Sequence, residues 1–487
     1  MKLTVHVTLE PEDGTPALIT EITCLERADL TPATLGLTLA EAKQVLSGLQ
    51  ATLTTAQIAA YNGAVRACPA CGTLYNRKSN RTVTVRTLFG KVRLSSPRFY
   101  TCTCQAANTV TKSFSPLAAV LPDRTTPEFM YLQTEWAALI SYGLTARLLA
   151  EVLPLEKPVS TAVLTAQVQR VADRLDTELG PEQPLFIDGC PHEWAALPHP
   201  AAPLTVGLDG GYVHGRAGAN RKAGTFEVIV GKGLPADGAP KRFGYVTGYD
   251  PKPKRRLFEM LRNQGMAANQ QVLFLTDGGD TVRDLPLYMN PQSEHILDWF
   301  HIAMRLTLLG QLAKGIPPPP APTGGRTPDA DEEEEAGRIT AEQITAELER
   351  VKWFLWHGNS FSALETLQDL EMDLEAGAGA RAGIKKLDKA VREFTGYIGA
   401  NQAFLVNYGD RYRNGEHISS SFVEATVNEL ISKRMVKKQQ MRWTKAGAHR
   451  VLQIRVQVLD GDLQPTFRRW YPGMPASELR SAPLRMA

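Results

Sequence analysis

The sequence predicts an α/β fold split by an all-helical stretch, and three observations predict it. Short apolar runs recur from Leu204 onward, each closed by turn residues: "LTVGLDGG", "TFEVIVGKGL", "KRFGYVTGYD" and "QVLFLTDGG". Such runs mark buried strands. An amphipathic stretch, "PKRRLFEMLRNQGM", lies between the third and the fourth. A Pro-rich, then acidic run, "PPPPAPTGGRTPDADEEEEAG", breaks the pattern before helix-period sequence resumes at Thr340.

Composition frames the elements. A chain of 487 residues is too long for a single core and predicts about three domains or more. It is 43% hydrophobic and 22% charged, ordinary for a soluble globular protein. No apolar run of membrane-spanning length and no signal segment is present, so the expected compartment is the cytoplasm and no membrane partner is expected. The net charge of only +3 means that affinity for nucleic acid must come from local basic patches.

The N-terminal region, 1–60, alternates as a strand in "MKLTVHVTLE". It then turns helical at "TLAEAKQVLSGL", where Thr38 and Glu41 form a capping box. Residues 61–112 read as a zinc ribbon. Cys68 and Cys71 in "ACPACGTLY", and Cys102 and Cys104 in "FYTCTCQ", flank alternating β-type sequence that turns at Phe89-Gly90. Two cysteine pairs on two β-knuckles suit one structural Zn²⁺, against the alternative of four free thiols. Cys24 and Cys190 stand apart. The ribbon is basic, with Arg81, Arg86, Lys91 and Arg93 as candidate phosphate contacts. Residues 125–182 are helical, punctuated at Gly143 and broken at Pro154 and Pro158 before Ser160 caps the next helix. Helix, break and second helix is a helix-turn-helix-like layout. The helix from Thr161 would be its DNA reader, with Arg170 and Arg174 along it.

From residue 200 to 315 the order is three strands, a helix and a fourth strand, then a fifth at "SEHILDWFH". Asp209 and Asp277 close the first and fourth strands. That is the ribonuclease-H-like plan, and ligands in open α/β sheets bind beyond the carboxyl ends of strands. Taken singly, each Asp-Gly is as well read as an ordinary turn. Residues 316–400 form the insertion: a disordered proline-acid loop, then helices opening on a Thr340/Gln343 capping box with Ile344, Leu348, Val351 and Leu355 on one face. The core resumes over 401–460, and 461–487 is a C-terminal tail. Glu424 lies near the start of a helix that Ser420 or Ser421 can cap, with Glu416 and Glu429 as rival acids. Lys433, Arg434, Lys437, Lys438 and Arg442 follow as a basic stripe, in which residues four apart share an α-helical face.

The runs "VGLDGGYV", "LTDGGD", "HILDWFHI" and "SSSFVEATVNELISKRMVKKQQMRW" together resemble the DDE transposases of bacterial insertion sequences, in the Kra-type branch related to the Mutator-like transposases. The resemblance covers about 204–458. It implies a catalytic triad of Asp209, Asp277 and Glu424 holding two Mg²⁺ (or Mn²⁺) ions. It also implies a role for Asp298 and His301 of "DWFH". The expected partners are double-stranded transposon ends and target DNA, with the chain working as at least a dimer. In this reading, glycines after Asp209 and Asp277 leave room for the DNA backbone. The alternatives are a ribonuclease-H-like nuclease or resolvase without strand transfer, and a non-catalytic DNA-binding regulator.

Overall fold

A computed structural model describes residues 1–10, 16–104, 112–184, 186, 190–198, 202–216, 224–235, 237–279, 282, 285–286, 289, 293–318, 339–376, 383–437 and 441–475. Most of the proline-acid run and Lys438 lie outside the described residues. The chain divides into two compact units, Met1–Leu175 with Gln457–Ala487, and Asp176–Val456.

In the first unit, β1 (Lys2–Leu9) pairs antiparallel with β2 (Leu18–Glu26). The helix Leu39–Ala64 opens on the Thr38/Glu41 capping box, as the sequence predicts. Arg27 fastens β2 to that helix through Glu41 at 2.7 Å, which holds the Glu41 carboxyl down at about 2. β3 (Arg77–Thr87) and β4 (Gly90–Tyr100) form the ribbon hairpin, and β5 (Ser113–Phe114) adds a short third strand. Only Leu88 and Phe89 separate β3 from β4. The tight return puts Gly90 at φ +118°, a conformation that L side chains avoid.

Helices Pro127–Leu139, Tyr142–Val152 and Thr161–Leu179 close around Leu149 and Leu164, with Leu132 and Trp136 at the margin. The break between the first two falls at Ser141, not at Gly143 as the sequence reading has it. The Ser141 hydroxyl accepts from Leu144 N at 3.3 Å and caps a helix that contains Gly143.

The second unit is built on a mixed sheet of β6 (Leu204–His214), β7 (Thr225–Leu234), β8 (Lys241–Val246), β9 (Val272–Thr276) and β10 (Ser293–Leu297). The spatial order is β10-β9-β6-β7-β8. β6, β7 and β8 form an antiparallel meander, whereas β9 and β10 run parallel to β6. The helix Pro253–Asn263 makes the crossover that the parallel β9 needs, and buries Leu257, Met260 and Leu261. Every residue of β9 is buried, which explains its unbroken apolar run.

Helices Ala341–Trp356, Ser360–Ala376 and Ile384–Ala400 share one core with the helix Trp299–Lys314. The Thr340/Gln343 capping box forms, and Ile344, Leu348, Val351 and Leu355 are all buried. No helix among the described residues is long and apolar enough to cross a membrane.

Candidate functional site

Strand register builds the site. β6 pairs with β9 from Leu204↔Val272 to Gly207↔Leu275, and two further steps along both strands bring Asp209 level with Asp277. β10 pairs with β9 up to Leu297↔Thr276, and one further step brings Asp298 level with Asp277. Three aspartates therefore stand at one level across the parallel strands β6, β9 and β10. One expectation is corrected here: β6 does not end at Asp209. It runs on to His214, paired with β7 as far as His214↔Thr225, and only its pairing with β9 stops short.

These groups feel one another. Burial, first, and then the charges of Asp277 and Asp298 push the Asp209 carboxyl above its usual range. The Gly210 N–H, 2.7 Å away, and His301 pull the other way. Asp277 accepts from Gly279 N at 3.0 Å.

Asp298 is fully buried and fully engaged. It caps the helix Trp299–Lys314 by accepting from Phe300 N at 2.9 Å. It also accepts from Ser420 N at 3.0 Å and from the Ser420 hydroxyl, and His301 Nε2 lies 3.5 Å from its other oxygen. The Ser420 hydroxyl is thus drawn to Asp298 and does not cap the helix Ser421–Val427 that follows it. Asp298 acts as a clamp that joins β10 to the start of that helix. Trp299 packs on Trp356 and Tyr408.

Glu424 stands exposed in the first turn of Ser421–Val427. Its neighbours Phe422 and Val423 press onto β6: a Cβ at Gly207 would come within 2.1 Å of Val423. A Cβ at Gly211 would likewise come within 3.0 Å of Ile431 and 3.2 Å of Val427. Gly278 adopts φ +78° and meets Asn401. Of the four glycines after Asp209 and Asp277, Gly211 and Gly278 make room for the protein's own side chains rather than for DNA. Of the rival acids, Glu416 is bound to Arg411 at 2.9 Å and Glu429 to Arg242 at 3.2 Å. Glu424 makes no ion pair among the described residues. The donor oxygens of Asp209, Asp277 and Glu424 do not all lie within 4.8 Å of one another.

The basic stripe is also corrected. Asn428–Val436 is a π-helix, so residues four apart no longer stack as the α-helical reading requires. Arg434 is fully buried over the Trp443 ring at 5.0 Å, where it cannot reach a DNA backbone. Burial, aided by Arg434, lowers the Arg455 guanidinium to about 9. Lys433 is half-buried, and Lys437 and Arg442 are exposed.

In the first unit the four ribbon thiols converge. Cys68 and Cys104 are 3.5 Å apart, Cys71 and Cys102 3.4 Å, and Cys71 and Cys104 3.5 Å. A zinc tetrahedron with Zn–S of about 2.3 Å has edges of about 3.8 Å, so the group could hold one ion, and an all-sulfur donor set suits zinc. Hydrogen bonding with the Thr73 side chain, first among several causes, lowers the Cys71 thiol to about 6, while Cys102 and Cys71 push Cys104 up. Cys24 and Cys190 are outside the cluster.

On the ribbon, Arg86↔Lys91 and Thr84↔Arg93 are cross-strand pairs on one face. Arg81 lies on the other face, where it lines a cavity of about 260 Å³ with Arg98 and Arg124. Arg170 is held by Asp123 at 2.9 Å, and Arg174 stacks on Trp470 at 4.1 Å. Arg170 and Arg174 are therefore both engaged within their own unit.

Sequence reading missed a second acid–histidine group, Asp176, Asp250 and His449. Arg256 bonds all three, meeting Asp250 at 2.5 Å and His449 at 3.0 Å, which leaves no seat for a metal. Its members are spread over 274 residues of chain, so no local pattern announces it.

No family model matches the sequence, and no curated protein matches it. Among solved structures the chain is similar to the Drosophila P element transposase strand transfer complex, at 10% identity and a TM-score of 0.30, over 69% of this chain and 93% of that one. It is also similar to a crystal structure of NurA, at 13% identity and a TM-score of 0.11, over 56% of this chain and 74% of that one. At these TM-scores neither likeness carries an argument about fold or function.

Proposed function

We propose that the chain is a DDE-type DNA transposase with a ribonuclease-H-like core, which cleaves transposon ends and joins them to target DNA. The observation that carries the reading is the register that sets Asp209 level with Asp277. The strand order, an antiparallel meander followed by two parallel strands, is the plan that such a core requires. Partly buried carboxylates with no cationic bond among the described residues are suited to Mg²⁺, a hard ion that takes oxygen ligands. Asp209, Asp277 and Glu424 would hold two ions, which when bound activate a water or a DNA 3′-hydroxyl and neutralise the leaving oxygen.

The rest is the work of the chain's own residues. Asp298 and Ser420 hold the helix that carries Glu424 against β6. His301 steadies Asp298 and offsets negative charge at Asp209. Arg81, Arg86, Lys91 and Arg93, with Lys433, Lys437 and Arg442, are the proposed contacts to DNA phosphates.

The test uses DNA flanking the coding region as the candidate end. Mg²⁺-dependent nicking and strand transfer are expected for the natural chain, and Mn²⁺ binding followed by EPR should weaken in Asp277→Asn. Cleavage that survives in both Asp209→Asn and Asp277→Asn refutes the reading. Cleavage that survives in Glu424→Gln but is lost in Glu416→Gln or Glu429→Gln moves the third acid. For the ribbon, native mass spectrometry should find one Zn²⁺ per chain, lost in Cys71→Ser and kept in Cys24→Ser. Lys91→Ala with Arg93→Ala should lower the salt slope of duplex binding by roughly two contacts.

A further inference from the structure

The helix Leu39–Ala64 repeats apolar residues every seven positions. Leu39, Leu46, Leu53 and Ala60 make one row; Ala42, Leu49, Ala56 and Gly63, three residues after each, make a second. This is the seam of a coiled coil. Two other faces of the helix are already in use. Ile58 packs on Val85, Val92 and Leu94 of the ribbon, and Gly48 lies so close to Ile22 of β2 that a Cβ would sit 2.5 Å away. The seam itself is open: Leu39, Leu46, Leu49 and Leu53 are 55, 36, 40 and 44% exposed. A row of leucines left in water along one helix marks an interaction surface.

The repeat says what covers it. Laid antiparallel against its own copy about a two-fold axis at Ala51, the helix sets Leu39 against Gly63, Ala42 against Ala60, Leu46 against Ala56 and Leu49 against Leu53. Leu39 thereby meets Gly63 and Leu46 meets Ala56, large against small, while Ala42 meets Ala60 and the central layers pair Leu49 with Leu53. A parallel pair would instead stack like on like: leucine on leucine at 39, 46, 49 and 53, and a small residue on itself at 42, 56, 60 and 63. The flanking positions are Lys43, Val45, Gln50, Thr52, Gln57 and Ala59, and a single charge among them puts no row of like charges against itself. A two-fold pairing of this kind is isologous and closes at two chains.

We propose that two copies of this chain associate through their Leu39–Ala64 helices in antiparallel register. The inference does not depend on the function proposed above.

Sedimentation of the full chain without DNA tests it. A dimer is expected for the natural protein and a monomer for Leu46→Glu with Leu53→Glu. Those two side chains are already exposed, so far-UV circular dichroism and the metal content of the ribbon should not change. Gln44→Glu, exposed on another face, should remain dimeric. Orientation is read from two double variants. Leu49→Lys with Leu53→Glu puts opposite charges face to face only in the antiparallel pair, and should dimerise at least tenfold more tightly than Leu49→Glu with Leu53→Glu. A monomeric natural chain, or a dimer indifferent to Leu46→Glu with Leu53→Glu, overturns the proposal. Equal dimer constants for the two Leu49/Leu53 variants overturn the antiparallel register.

Discussion

Two groups of aspartates with a histidine lie in the second unit, and they differ in what stands among them. Around Asp176, Asp250 and His449 the Arg256 guanidinium fills the centre and donates to every member. The Asp250 side chain is fully buried and its charge is matched on the spot. Around Asp209 and Asp277 no Lys or Arg donates among the described residues, and only backbone N–H groups do. Burial and neighbouring carboxylates then push Asp209 up. Donor type alone does not separate a structural cluster from a reactive one. The separation lies in whether the charge is already answered: a satisfied group holds the fold, and an unsatisfied one is left for a cation and a substrate.

The largest expected effect tests the unsatisfied group. Asp209→Asn or Asp277→Asn should lower metal-dependent cleavage by about 10³-fold or more, because charge stabilisation by metal ions is worth several kcal/mol. The melting temperature should hold or rise, since one source of repulsion is gone. A variant that unfolds instead would place these acids with the structural kind. Next comes the matched group: Arg256→Met strands a buried Asp250 and should cost about 3–5 kcal/mol in urea unfolding. A neutral result there would erase the contrast.

The pH dependence sharpens it. Burial, first, and Arg256 hold the His449 imidazole down at about 4 against an ordinary value of 6.5. A depressed folded value means that the unfolded chain takes up the proton first as pH falls. Stability from this group is therefore whole above about 6.5 and drains away down to about 4, on the order of 3 kcal/mol in all. His449→Gln should flatten that part of the urea-midpoint profile; an unchanged profile would mean that His449 does not carry it. The smallest effect is at the clamp. Ser420→Ala removes one hydroxyl from buried Asp298 and should cost about 1–2 kcal/mol of stability, with a slower cleavage step as the Glu424 helix loosens. A loss of stability with the rate unchanged would detach Asp298 from the chemistry.

Legibility followed range along the chain. The capping boxes at Thr38 and Thr340, the buried face Ile344–Leu355 and the convergence of four cysteines were all readable, because each depends on residues a turn or a hairpin apart. The same local habit misled at Arg434, where α-helical spacing predicted a basic surface and the chain makes a π-helix with that side chain in the core. It misled again at Gly211 and Gly278, which are crowded by Val427 and Ile431 and by Leu297 and Asn401, all distant in the chain.

By itself, then, the sequence determined the order of strands and helices, and that two Asp-Gly-Gly runs lie on or just after buried strands. Periodicity and capping act within a few residues and leave their mark in order along the chain. Only the tertiary structure decided that Asp209 lies level with Asp277, that Ser420 serves Asp298 rather than its own helix, and that Arg256 closes one acid cluster while the other stays open. Register and the meeting of distant side chains are set by packing the whole sheet at once, and a one-residue slip between β6 and β9 would turn either aspartate to the opposite face.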